Sequence, residues 1–176
     1  MDAQPLEEFA AAARAYCALI DALTQDRPRN LYSSLERLLA RLHAAILQID
    51  ADPDAPETPD AESRDRRHEQ WKAIAQRLEQ LTADETNQLY DLHIESWNTA
   101  KPADNYCAIR ASMLWDDLAD IYSDLRNGLR HWDMNTVDAR REASWKWRVN
   151  YETHWGTHLA RAIQTIHEIR YRLGVN

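Results

Sequence analysis

The chain has 176 residues, enough for one domain with a single substantial core, and its 44% apolar and 28% charged residues mark it as globular rather than disordered. No apolar run approaches the roughly 18 residues that a membrane-spanning helix needs. A net charge of −8 disfavours nucleic acid and anionic lipid as partners, since both require surplus Lys and Arg, and leaves a metal ion or a basic partner open.

The start, MDAQPLEEF, is acidic and lacks the positively charged region of a secretory signal, so a cytoplasmic location is expected. Leu6, Phe9, Ala13, Tyr16, Cys17, Ile20 and Leu23 recur at helical spacing and predict a first helix from about Pro5 to Thr24. Arg27-Pro28 interrupts the pattern. Leu31, Leu35, Leu38, Leu42, Ile46 and Ile49 then predict a second helix, paired with the first as an antiparallel hairpin. DADPDAPETPD, residues 50–60, holds three prolines and cannot continue a helix; an exposed, mobile loop is expected over 50–62.

Trp71, Ile74, Leu78 and Leu81 place a third helix over Arg66–Leu81. Leu89, Leu92 and Trp97 suggest a separate helix over Glu85–Trp97, and residues 101–105 read as a turn. Ser112 is a candidate cap for the next helix, LWDDLADIYSDLRNGLRHW, residues 114–132. After a short connection at 133–136, a last helix is expected from Val137 to Leu173. Gly174 is its stop and Gly156 a possible bend. Strand-like alternation is scarce. The predicted class is therefore all-α: one domain, a bundle of five or six helices with a long C-terminal helix.

Two polar groups stand out. At about 100° per residue, Leu114, Leu118, Ile121, Leu125, Leu129 and Trp132 form an apolar arc, and Asp117, Asp120 and Asp124 share a sector of roughly 60° just beyond its edge. Asp116 points further out, and His131 projects near the acidic sector. Like charges three and four apart repel, so the stripe is either a solvated face or a polar seam against a neighbouring helix. On the last helix Trp145, Val149, Trp155, Leu159, Ile163 and Ile166 build the apolar arc, with His154 and His158 at its margin, four apart and able to chelate one ion. If the two helices pack side by side, Asp117, Asp120, Asp124, His154 and His158 would meet across one groove and make a candidate divalent-metal site. A hydrogen-bonded His–Asp network without metal is the competing reading. Trp145, Trp147, Tyr151 and Trp155 are candidates for an aromatic ligand pocket, or else core fillers.

Other chemistry is less legible. DDLAD matches the D-D-x-x-D element of isoprenoid synthases, but no second acidic motif accompanies it. Nor does an E-x-x-D element accompany it, as it would in all-α nucleotide pyrophosphohydrolases. Three glycines exclude a phosphate-cradling Gly-rich loop. Cys17 and Cys107 lie far apart and suggest neither a disulfide framework nor a paired metal motif.

LYSSLERLL, LWDDLADIYSDLRNGL and HWGTHLARAIQTIH resemble a bacterial family known only as a domain of unknown function. Its members share an L-Y-x-x-L-x-x-L-L helix hairpin, a variable loop, a D-D-L-A-D-I-Y-x-D-L helix and a Trp-rich terminal helix. The resemblance spans Leu31 to Leu173 and implies an all-helical fold without implying an activity. The first functional expectation is accordingly an interaction or regulatory module, with an unknown protein or a second copy as partner. The alternative is a divalent-metal-dependent hydrolase or metal-binding protein built on the Asp/His cluster.

Overall fold

The first rod of the bundle, α1 (Ala3–Ala22), buries Phe9, Ala13, Tyr16, Cys17 and Ile20 along one face. It belongs to a computed structural model that describes residues 3–24, 27–56, 62–97 (90–97 by backbone course alone) and 114–176. The remaining elements are α2 (Leu31–Ile46), α3 (Arg64–Trp97), α4 (Leu114–Asp133), α5 (Val137–Asn150), a π-helical turn (Tyr151–Trp155) and α6 (Gly156–Arg172). The last three run on as one 36-residue C-terminal rod, so the described residues form an all-α array of five rods. The expected cap at Ser112, the turn at 101–105 and Cys107 lie outside the described residues.

Helix α4 is the hub and packs against α1, α3, α5 and α6. Leu114, Leu118, Ile121, Leu125, Leu129 and Trp132 are all buried, as the sequence arc predicts. Each such side chain contributes about 1.5–3 kcal/mol on burial, against a few tenths for each Asp–Asp repulsion, so the apolar arc decides where the helix sits and the acids follow. Tyr16 pins α1 to α4 by donating from its hydroxyl to the Leu118 carbonyl at 2.8 Å.

Three elements differ from expectation. The third and fourth expected helices are one, α3, continuous through Thr82–Glu85. Thr82 and Thr86 return their hydroxyls to carbonyls one turn back, Leu78 and Thr82, and so satisfy themselves inside the helix. Glu85 is buried because it pairs with Arg27 and accepts from the Tyr32 hydroxyl at 3.1 Å. A polar stretch that reads as a break is thus the seam between α3 and the α1–α2 connection. Second, α2 stops at Ile46 rather than Ile49. Third, the irregularity expected at Gly156 takes the form of a π-turn that ends just before it.

That turn corrects the face read for α5. A π-turn holds one extra residue and rotates whatever precedes it relative to whatever follows. The apolar residues buried on α5 are therefore Ala139, Ala143 and Trp147, with the expected Val149 only half-buried and Trp145 exposed, while Trp155, Leu159 and Ile166 are buried as expected. Trp155 fastens the widened turn by donating its indole N–H to the Trp147 carbonyl at 3.1 Å. Asn135, in the left-handed region at φ 57°, turns the chain between α4 and α5, and the Thr136 side chain caps α5 by accepting from Ala139 N at 3.2 Å. In the Pro/Asp-rich loop, Asp52 and the Asp54 carbonyl are tethered by Arg141 at 2.8 and 2.9 Å.

Candidate functional site

The acidic stripe of α4 faces the imidazoles of the C-terminal rod. Asp117, Asp120 and Asp124 emerge where α4 meets α3 on one side and the π-turn with α6 on the other, and they meet His154 and His158 there. All five residues singled out in the sequence converge, but they do not play equal parts. His158 Nδ1 lies 2.7 Å from Asp117 Oδ1, and His154 Nδ1 lies 2.7 Å from Asp124 Oδ2. Each imidazole thus spends one nitrogen on a carboxylate. His158 Nε2 is then left 3.4 Å from Asp120 Oδ2. The two rings stand edge to face with centroids 4.9 Å apart.

Asp120, His154 and His158 can each offer one donor atom such that all three lie within 4.8 Å of one another. Asp116, Asp117 and His158 form a second trio of that kind. The two trios share His158; the first is the one that joins both imidazoles of the seam to a carboxylate. Asp120 is itself held, because Trp71 Nε1 on α3 donates to its Oδ1 at 2.8 Å. Asp124 also accepts from Asn150 Nδ2 at 3.1 Å. Asp117 is fully buried, its Oδ2 has no hydrogen-bond partner, and Arg161 approaches its Oδ1 only to 3.9 Å.

Burial pushes the Asp117 and Asp124 carboxyls above the usual carboxylate range, opposed by their imidazole partners. Burial and the Asp120 charge raise Asp116. The hydrogen bond to Asp117, helped by the Asp120 charge, raises His158 above its ordinary 6.5. A raised imidazole contributes stability that is complete below about pH 6.5 and is lost as pH climbs through the raised value. The raised Asp117 carboxyl has the same sign but begins to lose its contribution lower, as pH climbs above the usual carboxylate range. Urea stability of metal-free protein is therefore expected to decline from pH 6.5 to 8. His158→Gln should flatten that decline, and an unchanged slope would show that the pair does not titrate as described.

The seam opens onto a depression of about 630 Å³. Asp120, Ser123, Asp124 and His154 line one wall; Arg64, Arg67, His68 and Trp71 of α3 line the other. The His68 ring lies parallel to Trp71 at 6.0 Å and 4°. The sequence analysis missed this second wall. Positions 64, 67, 68 and 71 fall at i, i+3, i+4 and i+7 and so share one helix face, a signal that gains meaning only from the wall opposite.

The aromatic cluster does not form one pocket. Trp147 and Trp155 are wholly buried against Phe9, with ring centroids 4.9 and 6.2 Å away. Tyr151 packs edge-on to Trp155, and Trp145 is exposed beside Pro53, Pro56 and Lys146. His131 lies outside the acidic cluster: it is buried between α4 and α5, 3.1 Å from Lys146 Nζ and 3.5 Å from Glu142. Cys17 is buried in the core, and desolvation pushes its thiol up to about 12.

Among the described residues no helix is long and apolar enough to cross a membrane. None of the curated proteins compared with the chain matches it. Its fold is similar to the crystal structure of protein BF1032 from Bacteroides fragilis, with a TM-score of 0.72 over 97% of each chain at 14% sequence identity, a likeness of fold alone. A family model described as Domain of unknown function (DUF5063) matches residues 3–172, which includes every residue of the Asp/His seam. The chain belongs to this family, as the D-D-L-A-D helix and the Trp-rich terminal rod anticipate.

Proposed function

We propose that the protein binds a divalent transition-metal ion through Asp120, His154 and His158 and uses it for hydrolysis in the adjoining depression. One observation carries this reading. Both imidazoles have their Nδ1 atoms held by carboxylates at 2.7 Å, which leaves the His158 Nε2 3.4 Å from Asp120 Oδ2 with the His154 ring standing beside it. Metal-bound histidines characteristically give their other ring nitrogen to a carboxylate, which fixes the tautomer and raises ligand basicity.

One distance in the trio already has the spacing an ion imposes. Donors about 2.1 Å from a tetrahedral ion are separated by roughly 3.4 Å. His158 Nε2 and Asp120 Oδ2 already stand at 3.4 Å. Two imidazoles and one carboxylate are a donor set suited to Zn²⁺, Mn²⁺ or Fe²⁺ rather than Mg²⁺ or Ca²⁺. Three protein ligands leave a coordination position for water. The ion would lower that water's pKa toward neutrality and make it a nucleophile. The expectation of an interaction module has weaker support: the large apolar side chains left exposed, Leu47, Met134, Val137, Trp145 and Tyr171, are spread over several elements.

The test is elemental analysis of native protein together with a melting screen. At a concentration about 100 times its dissociation constant an ion stabilises by about 2.7 kcal/mol, which for a chain of this size raises the melting temperature by about 5–10 °C. Zn²⁺ or Mn²⁺ is expected to give that rise and Mg²⁺ little. Asp120→Ala should abolish it. A metal-free protein indifferent to all three ions would end this reading.

A further inference from the structure

Resting on that reading, we infer that the ligand of the depression is a small phosphate monoester, its phosphoryl head held between the ion and Arg64 with Arg67 and its body laid against Trp71 and His68. The wall facing the Asp/His trio is a single face of α3, with Arg64 and Arg67 one turn and less apart and the His68–Trp71 pair beside them. A guanidinium offers a planar fork of donors that matches phosphoryl oxygens, and a depression of about 630 Å³ has the size of a small-molecule site.

A bound divalent ion with Arg64 and Arg67 would set four positive charges against the carboxylates of Asp117, Asp120 and Asp124, so the depression would take an anion. A phosphate monoester, at about −1.5 to −2 near neutral pH, offers the ion and the two guanidinium forks more oxygens and more charge than a carboxylate does. Trp71 also ties the two walls, because the indole that would support the ligand body holds Asp120 in place at 2.8 Å. The same residues thereby set both the ion and the ligand.

Phenyl phosphate and benzoate are matched probes, one ring with either head. Both are titrated by calorimetry at fixed ionic strength into full-length protein, with and without Mn²⁺. Phenyl phosphate should bind the Mn²⁺-loaded protein about tenfold or more tightly than benzoate, and only weakly in the absence of the ion. Arg64→Gln, at an exposed position, should weaken phenyl phosphate about tenfold while leaving Mn²⁺ affinity within about twofold, which also shows the variant is folded. If Mn²⁺ binds but phenyl phosphate binds no better than benzoate, or binds Arg64→Gln equally well, the phosphate inference is overturned and the metal centre stands. If Mn²⁺ does not bind at all, the metal reading fails and takes this inference with it.

Discussion

Trp147→Ala is expected to lower unfolding free energy by about 3–5 kcal/mol, the range for deleting a fully buried indole. Trp147 has no solvent exposure and sits where three elements meet: its ring is edge-on to Phe9 of α1 at 4.9 Å and tilted against Trp132 of α4 at 5.7 Å. Its indole N–H points at the Leu125 carbonyl at 3.4 Å. The ring lies directly over Gly128, where an added Cβ would fall 2.0 Å from the indole nitrogen. Gly128→Ala should therefore also destabilise, by about 1–3 kcal/mol, since overpacking outweighs the gain of roughly 1 kcal/mol in helix propensity. Domains of this kind are stable by about 5–15 kcal/mol, so the tryptophan variant should unfold at much lower urea. A loss below about 1 kcal/mol would mean that the α1–α4–α5 junction is not packed around this ring.

Substitution of Asp117 should act at a distance from the ion. Asp117 is not among the three proposed ligands; it holds His158 Nδ1 at 2.7 Å and so fixes which nitrogen the ring presents to Asp120. Removing such a partner typically costs 10- to 100-fold in metal affinity. Asp117→Asn keeps an acceptor without the charge, and Zn²⁺ affinity should fall by about tenfold; Asp117→Ala should approach about 100-fold. In both variants the titration of His158, followed by NMR, should move down toward its ordinary 6.5, because the carboxylate that raises it through its hydrogen bond and its charge is gone. A merely structural role would lower the melting temperature without moving that titration. Unchanged Zn²⁺ affinity in both variants would show that His158 is not a ligand through its far nitrogen.

The convergence of the two polar ridges was legible in the sequence because each flanks an apolar arc instead of opposing it. A residue at the margin of a buried arc must lie at a helix–helix boundary, and Asp117, Asp120, Asp124, His154 and His158 all do. Three things were not legible, each for a physical reason. Residues Thr82–Glu85 look like a break because Glu85 is satisfied by long-range partners, Arg27 and Tyr32, which no local pattern reveals, while Thr82 is satisfied within its own helix. The face of α5 was misread because a wheel of constant pitch was carried through Gly156, and the π-turn offsets it by one residue. The offset left a trace that went unused: Ala143, Trp147, Tyr151, Trp155 and Leu159 repeat every four residues, too slow a period for a straight α-helix. The basic wall of α3 was not legible because exposed arginines on a helix face ordinarily stand in solvent, and their meaning depends on what stands opposite.

The π-turn couples the two halves of the molecule's architecture in one further way. A single surplus residue between Tyr151 and Trp155 is a spacer in the angular sense: excising it would swing everything downstream by about 100°. The chain would then keep either its tryptophan anchor under Gly128 or its pair of imidazoles opposite the aspartates, but not both. Length variation is therefore disfavoured in these five positions, and the interval from the anchor to the imidazoles behaves as a fixed gauge.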